Sequence, residues 1–561
     1  MNPELVVVLI TLCLLCVAGV SALSNVIRLA APLILVILGS LAGFLPGVPA
    51  FEVDPEWILI GVLPPLLYSS AVSMPAMSFR RELRSITGLS VGLVLVSSVL
   101  LGWFFTVTLN ISLAWGIALG AIVSPTDAVA TAIARRVGVP SRVLTMLEGE
   151  SLLNDATALV LLRSATAAAA GAIAMGSVAL DLLWALGAAA AIGFGVGWLQ
   201  LWLRARVADP AVSTVISYAV PFIAALPAER LGASGLVAAV VAGLVSGYGA
   251  PRMLSAQARL SDAQNWRTAE LVLESGIFLL MGLQLHGLVT HSSHGEGTLA
   301  TISLVATVGL LLTLAIRGSY VAVLVWSQSR RTQRQQGRQE RLSAMQDYID
   351  DRIAHPDREV VPWSLGRRSA PAAPDDEGRR RWTAERLERI RTTLRRKQAT
   401  IDYLIREPIG PPEGIVLVWA GMRGAVSLAA AQTLPADTPG RPALVLVAFF
   451  LAGGSLLLQG ATLPWVVARF RRAPSREERQ GELDERARLF DLLHRVAEQV
   501  RARVPGRSMR QLELDLLDAQ RMALLDARDD GVFDAHVLSH ALKVVDADLI
   551  GLELRGARDE D

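Results

Sequence analysis

Ser124-Pro125-Thr126-Asp127-Ala128-Val129-Ala130 and, on the next apolar stretch, Gly149-Glu150-Ser151-Leu152-Leu153-Asn154-Asp155-Ala156 decide how this chain is read. Asp127, Glu150 and Asp155 fall within 29 residues, on two consecutive hydrophobic stretches. A charged side chain at bilayer depth is costly and is rarely tolerated without a role. If the stretch 143–172 enters a bilayer at its basic flank, Asp155 lies about 18 Å in, near the midplane. Ser151 and Asp155 stand at i and i+4 and share a face; Glu150 and Asn154 form a second such pair beside them. Pro125 removes a backbone donor and disfavours helix at Ser124, so the helix is expected to break there. Carbonyls freed at that depth are tolerated only where they line a polar cavity.

The surrounding composition fits a polytopic membrane protein. Of 561 residues 52% are hydrophobic, mean hydropathy is +0.44, and a soluble globule is excluded. Apolar stretches of roughly 17–25 residues suffice to span a bilayer, and thirteen are expected: 4–23, 30–47, 57–74, 85–109, 112–135, 143–172, 180–204, 211–228, 231–248, 268–289, 299–327, 413–433 and 442–468. Alternate connections carry the arginines: Arg28; Arg80, Arg81 and Arg84; Arg135, Arg136 and Arg142; Arg204 and Arg206; Arg252 and Arg259; Arg469, Arg471 and Arg472. The others carry Glu52, Asp54 and Glu56; Asn110; Asp181; Glu229 with Arg230; His291, His294 and Glu296; Asp437 with Arg441. Arginine-rich connections stay cytoplasmic, so an odd count places the N-terminus outside and the C-terminus inside. Cys13 and Cys16 lie in the first span, where cysteine acts as a small hydrophobe, and that span reads as retained rather than as a signal peptide.

Four parts are expected. Residues 1–327 hold spans one to eleven and 412–470 the last two. Residues 328–411 form a cytoplasmic insertion of net charge +6, with helix-like runs at 329–353 and 379–406. Residues 471–561, net charge −4, read as a small helical domain in which Leu489, Leu492, Leu493 and Val496, then Leu512, Leu516 and Leu517, recur at helical spacing. These pieces are either solvated helices packed on each other or a regulatory module in which tail meets insertion or anionic lipid.

A second break is expected at Ala420-Gly421-Met422-Arg423-Gly424-Ala425, because two glycines in four residues weaken a helix. Arg423 would balance the negative end of a half-helix. Two interrupted spans at corresponding places in the two halves are the pattern of inverted-repeat transporters, with the site between the breaks. The fold class is therefore an all-α membrane protein with two interrupted crossing helices. The residue types suit a site that holds a small cation and trades it for protons. Each residue also has a plainer reading: Ser124, Thr126 and Ser151 as hydrogen-bonding groups between helices, Asp127 as a partner of Arg423, Glu150 with Arg317 as a structural pair, and Glu274 as either packing or function. His536 and His540 are spaced for a helix face, but two ligands make a weak metal site. The chain has no G-x-x-x-x-G-K-[ST], so no nucleotide or other cofactor is expected, nor any nucleic acid.

At these residues the chain resembles the sodium/proton exchangers, the electroneutral branch of the monovalent cation/proton antiporters. The resemblance runs from about residue 5 to 470. It rests on L-P-P-L-L-Y (63–68), S-P-T-D-A-V-A, G-E-S-L-L-N-D, F-L-L-M-G-L-Q-L (278–285) and G-M-R-G-A (421–425). It implies a homodimer in a cell membrane, for a bacterium the inner one, with an elevator-like core. It implies that Asp155 carries cation or proton, that Asp127, Ser151 and the Thr126 backbone complete the cation shell, that Asn154 orients the site, and that Glu150 pairs with Arg317. An Asn before the essential Asp implies one-for-one exchange of Na⁺, or Li⁺ or K⁺, for H⁺. One departure stands out: Ser69 occupies a position where the family usually has an acid. A K⁺/H⁺ exchanger, or a channel or sensor gated by the tail, would fit the same residues. A membrane protease using paired Asp would need a G-x-G-D motif that is missing.

Overall fold

The apolar runs become helices. The computed structural model describes residues 3–27, 29–45, 54–171, 178–292, 299–354, 408–470, 476–503, 508–531 and 533–559, and no strand occurs among them. In order they form α1 (Pro3–Ile27), α2 (Ala31–Gly43), α3 (Trp57–Ser73), α4 (Ala76–Leu109), α5 (Leu113–Val123), α6 (Val129–Val137), α7 (Ser141–Ala169), α8 (Val178–Arg204) and α9 (Pro210–Arg230). Then come α10 (Gly235–Met253), α11 (Ala256–Ser292), α12 (Leu299–Ala354), α13 (Pro411–Trp419), α14 (Ala425–Gln432), α15 (Arg441–Phe470), α16 (Arg476–Arg503), α17 (Met509–Asp530) and α18 (Ala535–Asp559). Every predicted span has a helical counterpart. The two expected to break are the pairs α5–α6 and α13–α14. Seven described helices are long and apolar enough to cross a membrane on length and composition alone.

Two helices start well before their predicted spans. α4 begins at Ala76 rather than 85, and α11 at Ala256 rather than 268. Hydropathy misses these turns because they are rich in polar residues, some of which are paired inside the protein. In α4, Glu82 accepts from Arg142 Nε at 2.6 Å and from Ser85 Oγ at 3.0 Å. In α11, Asp262 pairs with Arg204 of α8. Arg142 and Arg204 are therefore not free loop charges, as the orientation argument took them to be; their side chains are each 2% exposed. Arg28, Glu52, His294, Glu296, Arg471 and Arg472 lie outside the described residues.

Packing follows membrane rules, where small residues let backbones approach. A Cβ on Gly39 of α2 would lie 2.4 Å from the Leu279 carbonyl of α11. α4 contains a π-helical stretch, Gly88–Leu93, and the Gly88 carbonyl accepts from Tyr320 Oη at 2.7 Å. A π turn leaves such a carbonyl open to an outside donor.

The chain divides into two compact units, Met1–Val325 with Ile409–Ala473, and Trp326–Pro408 with Pro474–Asp561. In the second unit α12 remains helical to Ala354, while the predicted run 379–406 lies outside the described residues. α16, α17 and α18 enclose an apolar core that includes Leu489, Leu517, Leu524, Phe533 and Leu538. His540 is exposed, and the His536 side chain lies outside the described ones.

Candidate functional site

Five residues, Ser124 to Ala128, separate α5 from α6, and Ala420 to Gly424 separate α13 from α14. The breaks meet. Asp127 N donates to the Met422 carbonyl at 2.8 Å. Arg423 Nε donates to Val123 O at 2.9 Å and Arg423 Nη2 to Ser124 O at 3.3 Å, with Nη1 on Gly421 O. Arg423 thus covers the carbonyls with which α5 ends and one that follows α13, where helix dipoles are negative.

Asp127 does the reverse. Its Oδ1 accepts from Val129 N at 2.9 Å, at the start of α6, and its carboxylate also takes a backbone bond from Ala425, at the start of α14. One carboxylate serves two helix N-termini, where the dipole favours negative charge. The site needs glycine beside it: a Cβ on Gly424 would fall 1.1 Å from Asp127 Oδ2. Asp127 and Arg423 make no bond to each other among the described contacts; each is held by backbone instead, so the reading of them as partners is corrected.

α7 supplies the rest. Asn154 Nδ2 donates to Thr126 Oγ1 at 2.7 Å and to Thr126 O at 3.2 Å, which pins the α5–α6 break to α7. Asn154 Oδ1 is buried without a partner. Thr126 Oγ1 donates to Glu150 Oε1 at 3.2 Å. Glu150 receives a two-pronged bond from Arg317 of α12, Nη1 to Oε1 at 2.5 Å and Nη2 to Oε2 at 2.8 Å, and Arg317 Nε donates to Leu417 O at 3.0 Å. Ser151 is buried, and its hydroxyl donates to Glu148 O in its own helix, leaving its lone pairs open.

Asp155 stands apart. It is 6% exposed, yet its carboxylate makes no hydrogen bond or ion pair with the described residues. It opens on a small pocket between the crossing helices, lined by Ala121, Ile122, Pro125, Ala158, Val426 and Ala430. The pocket has room for roughly one water-sized body. A carboxylate there without a protein counter-charge needs a proton or a metal cation.

Several supporting residues were not singled out from the sequence. Ser455 Oγ of α15 accepts from Arg423 N at 3.0 Å, and Gln459 Nε2 donates to Trp419 O at 3.0 Å. The signal was present, since Ser455, Gln459 and Thr462 lie at helical spacing in an otherwise apolar span. Ser69 of α3 is also engaged, donating to Glu270 of α11.

The family description "Sodium/hydrogen exchanger, transmembrane" matches residues 9–340. The chain belongs to this family. An uncharacterized Na⁺/H⁺ exchanger of Mycobacterium tuberculosis is 30% identical over 490 residues, covering 85% of this chain and 76% of that protein. The sodium, potassium, lithium and rubidium/H⁺ antiporter of Bacillus subtilis is 30% identical over 296 residues, half of this chain and 44% of its own. The fold also matches the sodium proton antiporter MjNhaP1 of Methanocaldococcus jannaschii, with a TM-score of 0.57, 17% identity, and cover of 84% of this chain and 99% of that one. This exchanger is thus an integral membrane protein, a transporter whose reaction is cation/proton antiport.

Proposed function

We propose that the exchanger moves Na⁺ against H⁺, one for one, with Asp155 as the group that holds either ion in turn. The contrast between the two aspartates carries this reading. Asp127 is supplied with backbone donors that favour its carboxylate; Asp155 has none and must take its partner from solution. Burial penalises the bare carboxylate, while a bound cation or proton relieves the penalty. Asp127, Ser151 and the Thr126 carbonyl, which has one lone pair left after Asn154, would complete the shell. Glu150 and Arg317 would hold the core, and Asn154 would orient it. Because Asn154 carries no charge, a single carboxylate titrates per cycle, and exchange is electroneutral.

The wider arrangement belongs to the same proposal: a homodimer with an elevator-like core, N-terminus outside, insertion and tail cytoplasmic. Reconstitution in sealed vesicles with an imposed pH gradient tests it, with Na⁺, Li⁺ and K⁺ added separately. Na⁺ should collapse the gradient, Asp155→Asn should abolish the effect in a folded protein, and an imposed membrane potential should leave the rate unchanged. Near-normal exchange by Asp155→Asn would refute the central role, and acceleration by potential would refute the stoichiometry. Li⁺ or K⁺ driving exchange better than Na⁺ would refute the sodium preference alone.

A further inference from the structure

α12 carries Arg317 and Tyr320 at i and i+3, on one face. Arg317 ends on Glu150 and on the Leu417 carbonyl. Tyr320 ends on α4 instead. Its hydroxyl donates to Gly88 O at 2.7 Å, at the start of the π-helical stretch Gly88–Leu93. Glycine makes the seat for this hydroxyl. A Cβ on Gly92 would lie 2.5 Å from Tyr320 Oη and 3.5 Å from its Cζ, while one on Gly88 would sit at an ordinary 3.5 Å from the same oxygen. Any larger residue at 92 would therefore push the hydroxyl away. Where a side chain inserts against the helical ladder, it stabilises a wider turn that a regular helix would not keep.

The wider turn sets what the rest of α4 presents. Each α-helical residue turns the face by about 100°, and a π turn takes in one residue more, so the residues beyond it are rotated by roughly that angle. Directly beyond it α4 meets the first break. Ser97 Oγ donates to Val94 O at 3.1 Å, and Ser124 Oγ is bonded to Ser97 Oγ and lies 3.4 Å from Val94 O. Both serines are buried. Ser124 gives its carbonyl to Arg423 Nη2, and Pro125, Thr126 and Asp127 follow it in the chain. Were Gly88–Leu93 wound as regular α-helix, Ser97 would be carried roughly 100° around the axis and off Ser124. The break would lose its support from α4.

We infer that Tyr320 is a positioning residue for the cation site: its hydroxyl holds α4 in the π form that brings Ser97 against Ser124, and so fixes the break that carries Thr126 and Asp127. The inference rests on the reading of Thr126 and Asp127 as part of the cation shell. Tyr320 touches neither ion in this scheme. It acts through Gly88, Ser97 and Ser124.

The test measures initial exchange rates of the full chain in proteoliposomes against the concentration of whichever alkali cation drives exchange. Tyr320→Phe keeps the ring and removes the bond. It should raise the apparent KM roughly three- to tenfold, the worth of one buried hydrogen bond. The maximal rate should hold within about twofold, since it is binding that loosens. Ser97→Ala should do the same, and the two changes together should be no worse than either alone, because both cut one line of support. Gly92→Ala displaces the hydroxyl without removing it and should also raise KM. Combined with Tyr320→Phe it should be no worse than Tyr320→Phe, since the clash goes with the hydroxyl. Gly61→Ala is the control: it lies in the π-helical stretch Trp57–Val62, and a Cβ there would be 3.9 Å from its nearest neighbour. It should leave KM as it is. A purely structural contact would instead lower thermal stability and leave KM alone in every variant. Folded Tyr320→Phe with an unchanged KM overturns the inference, as does a Tyr320→Phe, Ser97→Ala pair whose effects on KM multiply. Should Tyr320→Phe not fold, Gly92→Ala set against Gly61→Ala decides the matter by the same criterion. Asp155→Asn run in parallel separates the two levels. If it is inactive while KM is unchanged in Tyr320→Phe, only the role of Tyr320 falls; if it still exchanges, the site reading itself falls.

Discussion

At the scale of single residues, the centre of this exchanger is a sorting of carboxylates by their partners. Glu150 is fully committed to Arg317 and Thr126, Asp127 to two helix starts, and Asp155 to no described group. Glu150→Gln should therefore cost stability rather than ion affinity. It leaves the Arg317 guanidinium buried without its counter-charge, a loss of about 3–5 kcal/mol. Glu150→Gln with Arg317→Gln should recover part of that loss in thermal unfolding. Additive losses would mean that the two residues act independently. Part of this was legible beforehand. The spacing of Glu150, Ser151, Asn154 and Asp155 on one helix fixed which side chains share a face. That Asp155 lacked a dedicated partner was legible; that Asp127 is held by backbone rather than by Arg423 was not, because its donors are backbone N–H groups, and every residue but proline has one. The Ser69–Glu270 contact was hidden for a similar reason: it joins positions 201 apart, and Glu270 belongs to no motif.

At the scale of elements, the two breaks were readable because proline and glycine act locally. Their lengths and their mutual contact were not, since those depend on Ser455 and Gln459 arriving from α15. The tightest point of the crossing is Gly424. Its replacement by alanine would drive the Asp127 carboxylate out of its seat and break the bonds to Val129 and Ala425. Displacing a positioned group by an ångström can reduce turnover by about a hundredfold. Gly424→Ala should accordingly lose about tenfold to a hundredfold in exchange rate while the protein still purifies as a folded species. Gly276 of α11 has open space where a Cβ would go, so Gly276→Ala serves as the control and should change little. Equal rates for the two variants would show that the close approach at Gly424 does not matter. The helix starts at Ala76 and Ala256 escaped hydropathy for a reason of the same kind. A buried arginine and a solvated one look identical until the acid that meets it is known.

At the scale of the whole molecule, all the chemistry described lies in the unit formed by Met1–Val325 and Ile409–Ala473. A chain stopped near Arg472 should thus still exchange ions. The tail has net charge −4 and the insertion +6, so, if the core moves as proposed, their attraction can bias one of its two orientations. The expected result is a displaced curve of exchange rate against pH for the shortened chain. Superimposable curves would leave the tail a structural appendage. Among the described residues, the order of the apolar helices followed from apolar runs, because a bilayer admits few alternatives. The three-helix core of the tail was partly legible, since Leu489 and Leu517 fall on the predicted faces while Phe533 lies between helices and had no periodicity to betray it. A last consequence follows from the way Asp127 and Arg423 are held. Each has its countercharge built into the backbone, so the crossing resembles a capacitor whose plates are fixed in place. Inert electrolyte cannot discharge it, because both groups are held by backbone inside the protein and the pocket at Asp155 has room for roughly one water-sized body. Added choline chloride should then act only on the exposed arginines and acids at the rim, and the dependence of exchange on ionic strength becomes a map of the surface that leaves the interior out.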